Sequence, residues 1–152
     1  MLSKLYSNTK SRSSSVISFT DIQSKAQNQL FLARIVSFGG FKSRIDLTEK
    51  TEIIQAALMN FTKHQSVEKH KHLSIDRQTI GTSEVWIILK GKFEVEIFDI
   101  DNVSLGRFIL GRFDAVILIK GGHSLKALKN NSKIYEIKNG PFFGSEIDKV
   151  YI

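Results

Sequence analysis

Four residues in the middle and later parts of the sequence have side chains of the types that bind metal ions. His70 and His72 stand two residues apart in VEKHKHLSI, and in an extended strand residues two apart face the same side. Glu84 opens the strand-like run EVWIILK, and His123 follows two glycines. Three imidazoles and a carboxylate suit a divalent transition metal such as Fe, Mn, Co, Ni or Zn. The residue types therefore predict a metal site formed by His70, His72, Glu84 and His123.

Each of these residues also has an ordinary structural explanation. A His-x-His pair can arise by chance in a lysine-rich strand, and Glu84 could lie at a strand end beside a lysine. His123 could be a simple histidine after a glycine turn, and His64 in TKHQS is expected to be an exposed turn residue. The shared site is favoured by the order of the ligands along a β framework. A carboxylate ending an apolar face also costs free energy unless a charge such as a metal ion compensates it.

The elements that must position these residues are mostly β-strands. From residue 53 onward, short apolar or alternating runs recur with roughly 8–12 residue spacing between turn signals, and no crossover helix is evident. This pattern predicts a mainly β protein, an antiparallel sandwich or small barrel.

The N-terminal third of the sequence has a helical pattern of apolar residues. Thr20 and Gln23 can form a capping box, and helical spacing relates Ile22, Ala26, Leu30 and Ala33, so we predict a helix over residues 21–33. The predicted organisation is a flexible arm at 1–17, a helix with an extension at 18–52, and a barrel at 53–152.

Composition limits the class of protein. The chain has 152 residues, no cysteine and a net charge of +7. Disulfides, thiolate metal sites and cysteine nucleophiles are therefore excluded. No apolar run reaches the roughly 18 residues of a membrane helix, and the N-terminus lacks the apolar core of a secretory signal, so we expect a cytoplasmic protein without a membrane partner. The basic residues are interleaved with acids, without a basic helix or an aromatic basic face, so we expect no nucleic-acid partner.

The order His70-x-His72, Glu84-x6-Gly91, glycine turn and His123 resembles the two motifs of the cupin superfamily. EVWIILKGKFEVEIFD is similar to the strand, glycine turn and strand of the first cupin motif, and HSLKALKNNSKIYEIKNGPFFG looks like the end of WbuC-type cupin metalloproteins. The resemblance covers about residues 53–144. It implies a jelly-roll β-barrel with an interior metal and, because WbuC-type proteins are associated with surface-polysaccharide gene sets, a sugar or nucleotide-sugar substrate.

Two main classes of function follow from these expectations. The first is a metal-dependent enzyme that isomerises, epimerises or oxidises a small sugar-like or anionic molecule, since an open metal position stabilises developing negative charge. The second is a non-catalytic barrel that binds or senses a small molecule. A nucleic-acid-binding barrel that uses the positive charge is a weaker third hypothesis.

Several further residues are candidates for the site. One of Tyr135 and Glu136 must face inward in a strand, so both are candidate acid or base groups. Trp86, with Phe93, Val95 and Ile97, is expected to line an apolar pocket with the metal at its mouth. The candidate substrate contacts are Trp86, Arg77 and Lys120.

A partner subunit is also expected. Cupin barrels often pair through sheet edges, and the aliphatic run VILI at residues 116–119 is expected to leave such an edge. The sequence therefore predicts a homodimer.

Overall fold

Short strands make up nearly all the regular structure of residues 16–152, the part of the chain that the computed structural model describes. One four-residue helix follows them in this part of the chain. The elements are β1 (Ser18–Gln23), β2 (Phe31–Ser37), β3 (Ile45–Asp46), β4 (Ala57–Leu58), β5 (Glu84–Lys90), β6 (Lys92–Phe98), β7 (Ser104–Gly111), β8 (Ala115–Leu118), β9 (Gly122–Ala127), β10 (Lys133–Lys138) and α1 (Ser145–Asp148). The strands within each sheet pair antiparallel, so the prediction of a mainly β, antiparallel protein is confirmed.

Two sheets face each other across a shared apolar core. One has the strand order β1-β2-β8-β5-β10 and the other β7-β6-β9. Alternate side chains of both sheets point into the space between them, as in a β-sandwich. This inner core contains Ile22, Ala33, Ile35, Trp86, Ile88, Phe93, Val95, Ile97, Leu110, Val116 and Leu118.

The five-stranded sheet is also covered on its outer face. The segment that contains β3 and β4 packs there and contributes Leu47 to a second cluster, whose other buried residues are Val36, Val85, Ala115, Ile117 and Ile119. Strand β8 is therefore buried on both faces, which explains its unbroken aliphatic sequence. The expectation that residues 116–119 form a free edge is wrong, because β8 lies between β2 and β5 and the edges of this sheet are β1 and β10.

The predicted helix over residues 21–33 is wrong: this segment forms β1, a turn and β2. Ile22 and Ala33 lie opposite each other in neighbouring strands, so both reach the inner core as cross-strand partners and not as residues of one helix face. The turn is held from outside, because the buried carboxylate of Asp99 accepts hydrogen bonds from the backbone N–H groups of Lys25 (2.6 Å) and Ala26 (3.1 Å).

Strands β1 and β2 belong to the same sheet as β5. The chain therefore enters this sheet at Ser18, before the predicted barrel region that starts at residue 53. The predicted flexible arm lies almost wholly outside the described residues.

Candidate functional site

An acidic and an imidazole side chain meet where the two facing sheets come together at one end. Glu84 begins β5 in the five-stranded sheet, and His123 is the second residue of β9 in the three-stranded sheet. Glu84 Oε2 and His123 Nε2 are 3.6 Å apart. Glu84 is only 4% exposed, whereas His123 is half-buried. We call these residues the Glu84–His123 pair.

The surroundings keep the carboxyl group of Glu84 ionised. The His123 side chain lowers the pKa of Glu84 from its ordinary value, and this effect exceeds the opposing effect of burial. The positive charges of Lys149 and Lys138 lower the pKa of Glu84 further. Glu84 is therefore a buried carboxylate that carries its charge at neutral pH.

Trp86 packs against the imidazole. It lies two residues after Glu84 on the same face of β5, and its ring meets that of His123 edge to face, with centroids 5.1 Å apart and planes 83° apart. Trp86 is buried at the border of the inner core. The contact restricts the orientation of His123 and gives the site an apolar aromatic wall.

Asn139 fixes the chain just before Glu84. Its side-chain carbonyl accepts a hydrogen bond from the Ser83 N–H (2.7 Å), and its amide group donates to the Gly81 carbonyl (3.2 Å). The position of Asn139, between a strand and the Gly140-Pro141 turn, is typical of side chains that hold neighbouring backbone. The sequence interpretation did not single out this residue.

The glycine turn before β9 directs His123. Gly121 has φ +77, and a Cβ atom there would collide with the carbonyl oxygen of Phe98 at the end of β6. The turn thus needs glycine both for its backbone conformation and for the close approach of the two chains. It sets His123 opposite Ile97, on the inner face of the three-stranded sheet.

His70 and His72 lie elsewhere. They belong to residues 59–82, which are all exposed and contain no strand, so the predicted strand at VEKHKHLSI is wrong. Their ring centroids are 5.3 Å apart, and His70 Nδ1 is 2.8 Å from the Glu68 carbonyl oxygen. Among residues 16–152, no group of three or more His, Asp or Glu side chains is arranged to hold a metal ion. The structure brings two of the four predicted ligands together, Glu84 and His123.

The remaining candidates are distributed around this site. Glu136 lies opposite Trp86 and shares its face of the sheet, although its side chain is exposed. Tyr135 is 61% exposed on the other face, opposite Ile87.

The predicted substrate contacts other than Trp86 are also exposed. Arg77 lies in the irregular segment 59–82, and Lys120 precedes the glycine turn. Phe93, Val95 and Ile97 are packed in the inner core, so the space that they were expected to line is filled by side chains.

Comparison of the chain with protein-family models, curated proteins and solved structures finds no match. Membership of the cupin superfamily therefore stays a prediction from the residues. In residues 16–152 no helix combines the length and the apolar character that crossing a membrane requires.

Proposed function

We propose that the chain binds a small polar molecule, of the sugar or nucleotide-sugar class, at the Glu84–His123 pair and transfers a proton on it, in isomerase- or epimerase-like chemistry. The observation that supports this proposal is a buried, ionised carboxylate of one sheet facing a half-buried imidazole of the other at 3.6 Å. A buried charge is costly, so its presence at an accessible histidine favours a functional site over a surface ion pair.

The two residues have different parts in the proposed reaction. His123 is the group that a ligand can reach, so it is the candidate general base that removes a proton next to a substrate carbonyl and returns it. Glu84 is a positioning residue behind it, because its negative charge stabilises the imidazolium that forms when His123 accepts the proton. Trp86 offers an aromatic wall against which the apolar face of a sugar ring can pack.

A cupin-type jelly-roll barrel is part of the proposal. It is supported by the two facing antiparallel sheets and by the place of Glu84 and His123, one at the start of a strand in each sheet. A divalent transition metal fits the described residues poorly, because Glu84 and His123 supply two ligands and a catalytic metal usually has three from the protein. The proposed proton transfer therefore uses no metal ion, and metal binding stays a prediction that metal analysis of the purified protein can test.

The proposal is tested by exchange of substrate protons with solvent. The protein is incubated in D2O with a panel of aldoses, ketoses, their phosphates and keto-nucleotide-sugars, all of which can present a carbonyl group, and the proton on the carbon next to that carbonyl is followed by 1H NMR. We expect exchange with at least one compound, and at least about a hundredfold slower exchange in His123→Ala, because positioned general bases contribute about 10²–10⁴-fold.

The matched control is His64→Ala, since His64 is an exposed histidine at a turn with φ 69. Glu136→Gln tests the other acidic residue on the same face. Exchange that survives in His123→Ala, or no exchange with any member of the panel, would count against the proposed chemistry.

The second candidate function is a non-catalytic binding protein, and a different feature favours it. A groove of about 290 Å³ lies on the outer face of the five-stranded sheet, beside the β3–β4 segment. Its lining is mostly apolar and includes Ile54, Leu58, Ile87 and Phe113. Titration of the wild-type protein and of an Ile87→Asp variant with the apolar fluorophore 8-anilinonaphthalene-1-sulfonate tests this candidate function. Fluorophore binding that Ile87→Asp does not weaken would exclude the groove as the binding site.

A further inference from the structure

Strand β10 has a free edge in the five-stranded sheet. It pairs with β5 on one side and is the last strand of the sheet on the other. Asn139 N–H donates to the Ser83 carbonyl oxygen (3.3 Å), so residues 137 and 135 also direct their backbone groups towards β5 by the alternation of an antiparallel ladder. The N–H and C=O groups of Glu136 and Lys138 consequently point away from β5, to the outside of the sheet.

The same strand exposes apolar side chains. Tyr135 is 61% exposed and Ile137 is 47% exposed on the outer face, and Leu89 on the neighbouring β5 is 38% exposed. β1, the opposite edge of the sheet, carries mostly polar side chains. A free strand edge that also carries apolar side chains is a site where another strand tends to pair.

We propose that β10 pairs with β10 of a second copy of the chain, antiparallel, about a two-fold axis that passes between the two Ile137 residues. In this register Glu136 of each copy lies opposite Lys138 of the other, and the outward N–H and C=O groups of these residues pair across the interface. The side chains of residues that lie opposite each other point to the same face of the sheet, as antiparallel pairing requires. The arrangement is isologous, so each charge pair occurs twice.

The charges of the strand select this register. An axis at Glu136 would place the two Glu136 carboxylates opposite each other, and an axis at Lys138 would do the same with two ammonium groups. An axis at Tyr135 would place Ile134 opposite Glu136 and leave both charges without an opposite charge across the interface. Only the axis at Ile137, among these four, pairs opposite charges and brings the two isoleucines together.

The dimer goes beyond the proposed function and does not depend on it. It would nevertheless affect the site, because Glu136 and Lys138 are the cross-strand neighbours of Trp86 and Glu84. Pairing of the two β10 strands would hold the β5 wall of the site in place. Loss of the dimer without loss of proton exchange would separate the two proposals.

The test is the mass of the full chain in solution, measured by light scattering and by sedimentation equilibrium. The wild-type protein is expected at twice the 17.2 kDa of one chain. Glu136→Lys replaces both attractive charge pairs with repulsive ones, so the dissociation constant of the dimer is expected to rise at least about tenfold. Lys138→Glu is expected to have the same effect.

The double variant Glu136→Lys/Lys138→Glu restores two opposite-charge pairs in the same register, and its dissociation constant is expected within about threefold of wild type. Glu68→Lys is the matched control, because it makes the same charge change at an exposed position outside the sheets. Circular dichroism checks that every variant is folded. A monomeric wild-type protein, an unweakened Glu136→Lys dimer or a double variant that is not restored would each overturn the proposal.

Discussion

Removal of His123 should destabilise the protein mainly because it leaves the charge of Glu84 without its nearest partner. The Glu84 side chain is 6% exposed and that of His123 is 28% exposed, so their contact lies between a fully buried and a surface interaction. Breaking a buried pair costs about 3–5 kcal/mol, and exposed pairs are worth about 0.2–1 kcal/mol. We expect His123→Ala to lower the free energy of unfolding by about 2.5 kcal/mol, of which about 1 kcal/mol is lost packing on Trp86.

The electrostatic part is isolated by a double-mutant cycle. In a Glu84→Gln background there is no carboxylate to leave unpaired, so His123→Ala should cost only the packing share of about 1 kcal/mol. The coupling free energy between the two residues is then about 1.5 kcal/mol, roughly a tenfold change in the folding equilibrium constant. His123→Phe serves as the control, since it keeps an aromatic ring against Trp86 and removes the ionisable group.

The four proteins are compared by urea unfolding at pH 7, with the slope m checked for constancy. The pKa of Glu84 is lowered by folding, so its ionised form stabilises the protein above the ordinary value of 4.5 and this contribution is lost as pH falls through the folded-state pKa. The coupling should therefore shrink when the cycle is repeated in acid below pH 4.5. A coupling below about 0.3 kcal/mol at pH 7 would refute the argument that the two side chains act as a pair.

Three further predictions concern the framework that holds the site. Burial raises the pKa of Asp99, but hydrogen bonds from Ser24 and from the backbone N–H groups of Lys25, Ile100 and Ala26 outweigh this effect and lower the pKa to about 2. The free energy of unfolding of the wild-type protein, measured in urea, should consequently fall between about pH 4 and pH 2, and this fall should be smaller in Asp99→Asn. Asp114→Ala removes the acceptor of the Phe38 N–H (2.9 Å) and Gly111 N–H (2.7 Å) and should cost roughly 2–4 kcal/mol in urea unfolding, whereas a loss below about 1 kcal/mol would mean that water replaces the carboxylate. Gly121→Ala should lower the free energy of unfolding by at least about 2 kcal/mol, because Gly121 has a positive φ and a Cβ atom there would collide with the Phe98 carbonyl oxygen. Gly40→Ala, with open space around its Cβ position, should lower it by no more than about 1 kcal/mol. Equal shifts in the melting temperatures of the two variants would contradict this prediction.

The strands after residue 83 could be predicted because they have one buried face. EVWIILK corresponds residue for residue to β5, and the Gly91 turn leads into β6, where buried and half-buried residues alternate. Alternation of this kind determines both the strand and its orientation in the sheet. It also correctly placed Glu84 and Trp86 on one face.

The errors occur where local patterns were compatible with two structures. Ile22 and Ala33 suit both a helix face and a cross-strand pair, and the contact that favours the strand pairing comes from Asp99, more than 70 residues away. Alternation alone predicts a strand at His70 and His72, but their segment has no buried face that could fix a register. In the first case the strand pairing depends on a contact with a distant residue, and in the second no other part of the described chain covers the segment.

The sequence identifies Glu84 as a residue that needs a compensating charge, although it does not identify the partner that supplies it. The sequence indicates that a carboxylate at the start of an apolar strand needs compensation, because an uncompensated buried charge is too costly. The structure provides compensation from three sources, the His123 imidazole and the more distant charges of Lys149 and Lys138, which come from β9, from the residue after α1 and from β10. A metal ion, an imidazole or a set of lysines would meet the same electrostatic need, so the residue can be identified from its own strand while its partner depends on how distant strands meet.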